Sequence, residues 1–577
     1  MTKRGRSIAV ATLFALALVL PGVASAHAYL VKTVPTPSGT LNAPPPAVAL
    51  TFDEAVEPRF AIISVTNAAG HQETTASVSR SPANPDTLVV PLRPHLPEGW
   101  YLVYWRAISV DGHPVQGAYT FAIGPNTGPQ PQFPVPSSAQ TATAPKLLVA
   151  RWLMFLTVMI AIGLFVLRIA IARPLLRRVE GTSLRSVTVA MVAFSVLGLL
   201  AIPVYLDIAT AIDSLRSDFA VGTLVPLFRV TAFGRGYVDL EICFALFCVA
   251  SWIAVWVDRP QREHRSIAEL AATSGALLAA AAVLVLPGTS GHAGQTSPRG
   301  LSLLLDWLHL VSGSLWLGGL VGLLLVWATL SPAKRIAGLT VTVPRFSNVA
   351  FVSVLVLIAS GTGATILHMP ILAALWQTSY GKTILVKIGL LLAAMFLAAF
   401  NLLRTKPHLA AARERPELGP PAAKMLCRLV TGEAVIVACA VFAAALLSSL
   451  APPAKALAEE GSAVAHVGPG NVVQVVHKNG YTIRVLVSPN RAAVPNRFAL
   501  QLTKGTTPVR GADVTLQFAM LDMEMANQDY QLAETSPGIY SRPAPALVMV
   551  GHWGLTYAIT PKGAQPFTVL LVDHATG

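Results

Sequence analysis

Read for hydrophobic and polar positions alone, the 577-residue chain divides into segments of different period. Residues 1–26 hold a basic start, MTKRGRS, then the apolar run IAVATLFALALVL, then PGVASA. From 27 to 125, short runs such as AVALTF, AIISVTN, TLVVPL, WYLVYWRAISV and GAYTFAIG are separated by Pro, Gly and Asn. Regular short strands broken by turn residues predict a small all-β barrel or sandwich. Residues 126–146, rich in Pro, Gln, Ser and Thr, read as a semi-rigid linker. A spanning helix needs about 20 apolar residues, and eight such runs follow: 147–171, 186–208, 237–257, 268–287, 301–328, 346–367, 382–403 and 427–450. After a second linker, 451–470, the runs NVVQVVH, YTIRVLVS, RFALQLT, ADVTLQFAM and PFTVLLVD predict a second all-β sandwich over 471–577. The expected fold class is mixed and multidomain: an all-β domain, an eight-helix α transmembrane domain over 147–450, and an all-β domain.

Composition agrees with that division. Hydrophobic residues make up 53% of the chain and charged residues only 12%, about half the share of a soluble protein. The 43 Pro and 42 Gly are too many for membrane helices and belong to the β-domains and linkers. A net charge of +14 would suggest nucleic acid in a soluble protein, but no basic stripe interleaved with aromatics occurs, so the expected partner is the lipid bilayer. Predicted cytoplasmic loops hold fifteen Lys and Arg, among them Arg173, Arg259, Arg335 and Arg413, against four in the external loops: Arg216, Arg229, Arg235 and Arg299. That bias follows the positive-inside rule. The first 26 residues have the form of a cleavable signal peptide, an uncleaved anchor being the alternative, and cleavage after Ala26 makes His27 the first mature residue. With eight spans, both β-domains are then extracytoplasmic parts of a multi-pass cytoplasmic-membrane protein. Cys243, Cys248, Cys427 and Cys439 all lie in apolar runs, so no disulfide is expected in the exported parts and no CxxC motif occurs.

Candidate chemistry starts at His27. A free amino-terminal His offers an amine and an imidazole nitrogen; Asp111 and His113, in SVDGHPVQGAYTFAIG, add an oxygen and a nitrogen. Such a set suits tetragonal Cu(II), the alternative being that Asp-Gly-His only makes a turn. The stretches HAYLVKTVPTPSG, LTFDEAVEP and SVDGHPVQG resemble the CopC family of periplasmic copper-binding β-barrels, over nearly all of 27–125. The resemblance implies that His27, Asp111 and His113 bind Cu(II), with Glu54 as a second-shell partner; Ala55 stands where the family usually has Pro. Some members carry a methionine-rich Cu(I) loop, but no Met occurs between 27 and 125, so the expected site takes Cu(II) only. His71 and His95 sit in loop-like segments and are expected to be solvated.

Ionisable groups inside a bilayer are costly and usually functional. In the predicted topology His292, Asp306, His309, His368 and Met369 gather toward the outer leaflet. Asp306 and His309, three apart, share one helix face; Gly313 and Trp316 continue it, and Gly318-Gly319 permits close helix contact. Lys382 and Lys387 are expected to snorkel, and Arg428 with Glu433 to form a structural pair. The segments GTSGHAG, LLLDWLHLVSGSLWLGGL, PRFSNVAFVSVLVLIASGTGA and SYGKTILVKIGLLLAAMFLAAFN resemble the CopD family of copper-transport membrane proteins, over about 147–450. That resemblance implies copper-handling roles for His292, Asp306, His309, His368 and Met369; hydrogen-bonded interface residues at helix ends are the other reading.

In the last domain Met520, Met523, Met525 and Met549, with His552, offer thioethers and an imidazole suited to Cu(I), while Met also fills β-cores. MLDMEM, Tyr530, PGIY and VMVGHWGL resemble the YtkA-like family of small exported β-domains found beside copper-handling modules. The expected function is copper binding and transport across the cytoplasmic membrane, in the import direction, with Cu(II) captured by the first domain. Copper resistance by efflux, periplasmic sequestration and a membrane redox protein with haem-ligating histidines are alternatives. No enzymatic activity is expected, the alternative being a copper monooxygenase built on the amino-terminal chelate. No Walker or aspartyl-phosphate motif points to an ATP-driven pump. The expected partners are copper ions, as Cu(II) in the first domain and Cu(I) elsewhere, and periplasmic copper chaperones.

Overall fold

The computed structural model describes residues 30–577 apart from 54–55, 57, 59–60, 109–113, 129–130, 132, 134–143, 214–231, 263, 290, 297, 370–371, 373, 412–416, 418, 451–462 and 522–527. In the first domain, period-two alternation produces eight strands among the described residues: β1 Leu30–Val34, β2 Thr40–Leu41, β3 Ala47–Phe52, β4 Ile62–Asn67, β5 Ser79–Arg80, β6 Thr87–Pro91, β7 Gly99–Ile108 and β8 Pro114–Ile123. They form two sheets, ordered β1-β3-β6-β5 and β2-β8-β7-β4. Val48, Leu50, Val65, Val90, Val103 and Phe121 fill the space between, each 1% exposed or less. β7 and β8 are a long antiparallel hairpin paired from Gly99↔Ile123 to Ile108↔Pro114.

Among the described residues, eight apolar helices long enough to cross a membrane follow: α1 Pro145–Val166, α2 Arg185–Asp213, α3 Ala232–Val257, α4 Ile267–Thr289, α5 Arg299–Thr329, α6 Pro332–His368, α7 Ser379–Phe400 and α8 Gly419–Leu447. Their apolar windows are 78% buried in the first and 56% in the fifth, against 33% or less in the rest, so α1 and α5 are the axis of the bundle. They cross with backbones in contact: a Cβ on Gly163 would lie 2.7 Å from Gly318 Cα, and one on Gly318 would lie 2.5 Å from Gly163 Cα. Gly319 makes room for the Phe346 ring, which a Cβ there would meet at 2.1 Å.

Several helices outrun their apolar runs. α6 starts at Pro332, fourteen residues before the apolar run at 346, because the amphipathic stretch with Lys334 and Arg335 continues the helix past the hydrocarbon depth. Arg173, counted among the cytoplasmic-loop charges, is buried: its Nε donates to Asp258 at 3.0 Å and its Nη2 lies 3.6 Å from Glu269. Arg168 joins the same Asp258 at 2.9 Å. Glu269 also accepts from the backbone N–H of Arg259 and Ser266, so this group of charges ties α1, α3 and α4 together.

The last domain has strands β9 Ala465–Val467, β10 Val472–Lys478, β11 Tyr481–Ser488, β12 Asn496–Lys504, β13 Thr507–Pro508, β14 Asp513–Met520, β15 Gln528–Gln531, β16 Ala533–Ser536, β17 Ile539–Ala544, β18 Gly551–Thr560 and β19 Phe567–Ala575. One sheet runs β10-β11-β12-β17-β16 and the other β15-β14-β18-β19-β9. β9 falls inside the stretch expected to be linker; it is taken into the sheet by parallel pairing with β19.

The two β-domains touch each other at one end of the bundle. Ala118 N–H donates to the Val548 carbonyl at 3.0 Å, and Thr120 Oγ1 donates to the Ala493 carbonyl at 3.1 Å. Around these bonds Leu102, Ala118, Phe133 and Ala493 form a small buried apolar cluster. Phe133 belongs to the expected linker, so part of that segment packs into the interface. On the neighbouring strand, buried Arg106 donates from Nη1 to the Ile212 carbonyl in the last turn of α2, at 3.1 Å.

Candidate functional site

The expected Cu(II) set lies outside the described residues: His27, Glu54, Asp111 and His113 all do. The described parts locate the chain on either side of it. Asp111 and His113 belong to the five residues that join Ile108 to Pro114, the last pair of the β7–β8 hairpin. Arg106, two residues before that end, is the residue anchored to α2. The hairpin end is thus held at the mouth of the helix bundle. His71 and His95 are exposed, as expected of solvated loop residues.

Within the bundle, the helical period brings Asp306, His309, Gly313 and Trp316 of α5 to one face. His309 is fully engaged. Ser360 Oγ donates its single proton to the Val356 carbonyl at 2.6 Å, so toward His309 it offers a lone pair and accepts from Nδ1–H at 3.1 Å. That fixes the proton on Nδ1 and leaves the lone pair on Nε2. Lys387 of α7 donates into that lone pair, with Nζ to Nε2 at 3.1 Å. Asp306, one turn away, lies within charge–charge range of Lys387.

Two glycines shape this group. A Cβ on Gly288 would stand 2.6 Å from Asp306 Oδ2, and one on Gly361 would stand 3.2 Å from His309 Cε1. Lys387, expected to snorkel, instead reaches the histidine: its Nζ lies 3.1 Å from His309 Nε2.

The other expected membrane donors are more dispersed. His368 ends α6 two turns beyond Ser360, about 12 Å along the helix. Its Nδ1 donates to the Ala364 carbonyl of its own last turn at 2.7 Å. Its Nε2 accepts from Thr296 Oγ1 at 3.1 Å, which fits the interface role weighed for it. Met369 caps the helix through its backbone N–H, bonded to the Thr365 carbonyl at 2.9 Å. His292 begins a single helical turn, His292–Gln295, and its side chain lies outside the described residues.

About 10 Å further along α5 than His309, Trp316 Nε1 donates to Glu433 Oε1 of α8 at 2.6 Å. The expected Arg428–Glu433 pair is not formed: Arg428 is exposed, while Glu433 is buried and faces α5. Both Trp316 and Glu433 line a cavity of about 230 Å³, whose wall also includes Phe346, Met395 and Asn401.

In the last domain the expected Cu(I) donors separate. Met520 and Met549 are 2% and 3% exposed in the apolar core. Met520 pairs with Trp553 across β14 and β18, so His552, the next position on β18, points to the opposite face of the sheet. There it is exposed and stacks on His574, with ring centroids 4.7 Å apart. Met523 and Met525 lie outside the described residues. Among the described residues no group of three or more His, Cys, Asp or Glu is arranged to hold a metal ion. On the core side, fully buried Asp573 accepts from Asn490 Nδ2 at 2.8 Å, and burial pushes its carboxyl up to about 6.

Ser360 is the residue that the sequence pattern did not point to, and Lys387 and Glu433, given other roles there, join the site through His309 and Trp316. The available signal was the cost of a lysine and a glutamate inside apolar spans.

Three protein families match this chain in order: CopC domain at residues 30–124, Copper resistance protein D at 340–447 and YtkA-like at 476–558. Copper transport protein CutJ of Bacillus subtilis (strain 168) is 27% identical over 559 residues, covering 96% of this chain and 96% of that protein. Protein YobA of Escherichia coli (strain K12) is 35% identical over 124 residues, 21% of this chain and 99% of that protein. The crystal structure of CopC from Methylosinus trichosporium OB3b shares 30% identity over 18% of this chain and 99% of its own, with a TM-score of 0.16. The chain belongs to the CopC family, and it joins its CopC domain to a Copper resistance protein D domain and a YtkA-like domain in one polypeptide.

Proposed function

We propose that this protein carries copper inward across the cytoplasmic membrane: the CopC domain captures Cu(II) outside, and the ion moves along α5 past Asp306 and His309. The observation that carries this reading is His309, a bundle-interior histidine whose Nε2 lone pair points away from its own helix with a carboxylate one turn away. A neutral imidazole with a carboxylate nearby is a donor set that copper takes. The contact of Arg106 with α2 supports short-range transfer from the capture domain to the bundle. The contact with Ala493 and Val548 gives the YtkA-like domain a part in holding the CopC domain in that position.

The capture site is His27, Asp111 and His113 with His27 as mature amino terminus and Glu54 behind it. Its chemistry is carriage rather than turnover, since three nitrogens and an oxygen fill the square around Cu(II). Amino-terminal sequencing together with Cu(II) titration tests this. His27→Ala, or one residue added before His27, is expected to lower Cu(II) affinity sharply; unchanged affinity in both contradicts the chelate. Oxygen-dependent turnover by the loaded protein contradicts the carrier role. Direction is tested by cell copper after deletion of the gene: lower accumulation is expected, and higher accumulation means efflux.

A further inference from the structure

The bond between Lys387 and His309 falls on the one atom a metal would use. Ser360 takes the Nδ1 side of the ring, and the reversed tautomer would set an Nε2 proton against the Lys387 ammonium, donor against donor, and an Nδ1 lone pair against the Ser360 oxygen. Nε2 is therefore the ligating nitrogen, and the Lys387 Nζ stands 3.1 Å from it. Lys387 is also within charge–charge range of Asp306, the carboxylate nearest the site. A cationic group thus stands on the imidazole nitrogen that a copper ion would use, with a carboxylate within charge–charge range.

We propose that Lys387 is a resident competitor of the transported ion, a role that rests on copper passing along α5. Between transport events its ammonium fills the position on His309 Nε2 and partly balances Asp306. When copper arrives, the N–H···N bond to Nε2 breaks, a copper–Nε2 bond forms as the ion gives up one of its previous donors, and the Lys387 side chain swings aside. When the ion leaves, Lys387 returns. The consequence is a site kept deliberately weak, so that the ion is passed on rather than trapped, with no positive charge missing from the bundle in either state.

The test uses the full chain in lipid nanodiscs, with His27→Ala and His113→Ala to remove the capture site, titrated with Cu(II) against a chromophoric chelator. Lys387→Met and Lys387→Gln are each expected to tighten one Cu(II) site at least tenfold, Lys387→Arg to leave it weak, and His309→Ala to remove it. Affinity unchanged or weakened in both Met and Gln variants, while His309→Ala still removes the site, overturns the competitor role and leaves the α5 path standing. Binding indifferent to His309→Ala overturns both. A tightening by Lys387→Arg equal to that by Lys387→Met also overturns the competitor role, since the charge would then be irrelevant.

Discussion

The core of the C-terminal β-domain and the interior of the helix bundle both hold donor atoms that copper binds, and they treat them in opposite ways. In the β-domain, the two-residue period sends Met520 and Trp553 inward and His552 outward, so thioether and imidazole end on opposite faces of one sheet. In the bundle, the helical period stacks Asp306, His309 and Trp316 on one face of α5, and the neighbouring helices answer with Ser360, Lys387 and Glu433. Residue type alone ranks Met520 and His309 as equally good ligands. What separates them is whether the element's period gathers donors or splits them, and whether a polar partner keeps the group out of an apolar core.

The sharpest way to break this contrast is to remove one donor from each region. His309→Ala is expected to reduce copper uptake to the background of cells lacking the protein, whereas Met520→Leu with Met549→Leu leaves uptake at the parental level. Equal losses would put both regions on the copper path. Arg106→Ala should lower uptake several-fold without changing Cu(II) affinity of the capture site, because it frees the hairpin end from α2. A fall in Cu(II) affinity would mean that Arg106 shapes the capture site itself.

The β-domain's own polar group is expected to show in stability rather than transport. Burial raises the Asp573 carboxyl from an ordinary 3.8 to about 6, so the folded domain binds a proton more tightly than the unfolded chain. Its contribution is present in full below about pH 4 and is lost as pH rises through 6, leaving a penalty of about 3 kcal/mol at pH 7. Hydrogen exchange across residues 465–577 should therefore be slower at pH 5 than at pH 7 after correction for the intrinsic rate. Asp573→Asn should flatten that difference; a dependence that survives the substitution assigns it to another group.

Smaller effects separate Trp316 from the core residues. Trp316→Phe leaves buried Glu433 without its indole partner and should cost about 1–3 kcal/mol. Met520→Leu should cost less than about 1.5 kcal/mol as a volume-conserving change, and Arg428→Ala, on the surface, within about 0.5 kcal/mol. Thermal unfolding of the three variants ranks them, and a loss at Arg428 as large as at Trp316 would restore the Arg428–Glu433 pair.

The fold was legible wherever one element's period decides the outcome. Alternation located both sandwiches and the apolar runs located all eight spans. Helix ends were less legible, since α6 continues through residues that the bilayer does not require to be apolar. β9 was hidden in a linker composition because its place depends on β19, about a hundred residues away.

The site divides in the same manner. The three-residue spacing of Asp306 and His309 is visible on α5 alone. That Lys387 points at His309, or that Glu433 takes Trp316 and not Arg428, is decided by which faces α7 and α8 turn toward α5, and no single helix encodes that. Met520 stayed open between ligand and core filler for the reverse reason: its chemistry is local, but its burial comes from the strands on either side.

The central claim is that copper crosses on the His309 face of α5 with Lys387 as its competitor. The most direct measurement is initial uptake of radiolabelled copper by intact cells producing the wild-type chain, His309→Ala or Lys387→Met at matched membrane levels. Background uptake is expected for His309→Ala. For Lys387→Met slow uptake is expected, with copper retained on the purified protein. Wild-type uptake by His309→Ala would contradict the central claim.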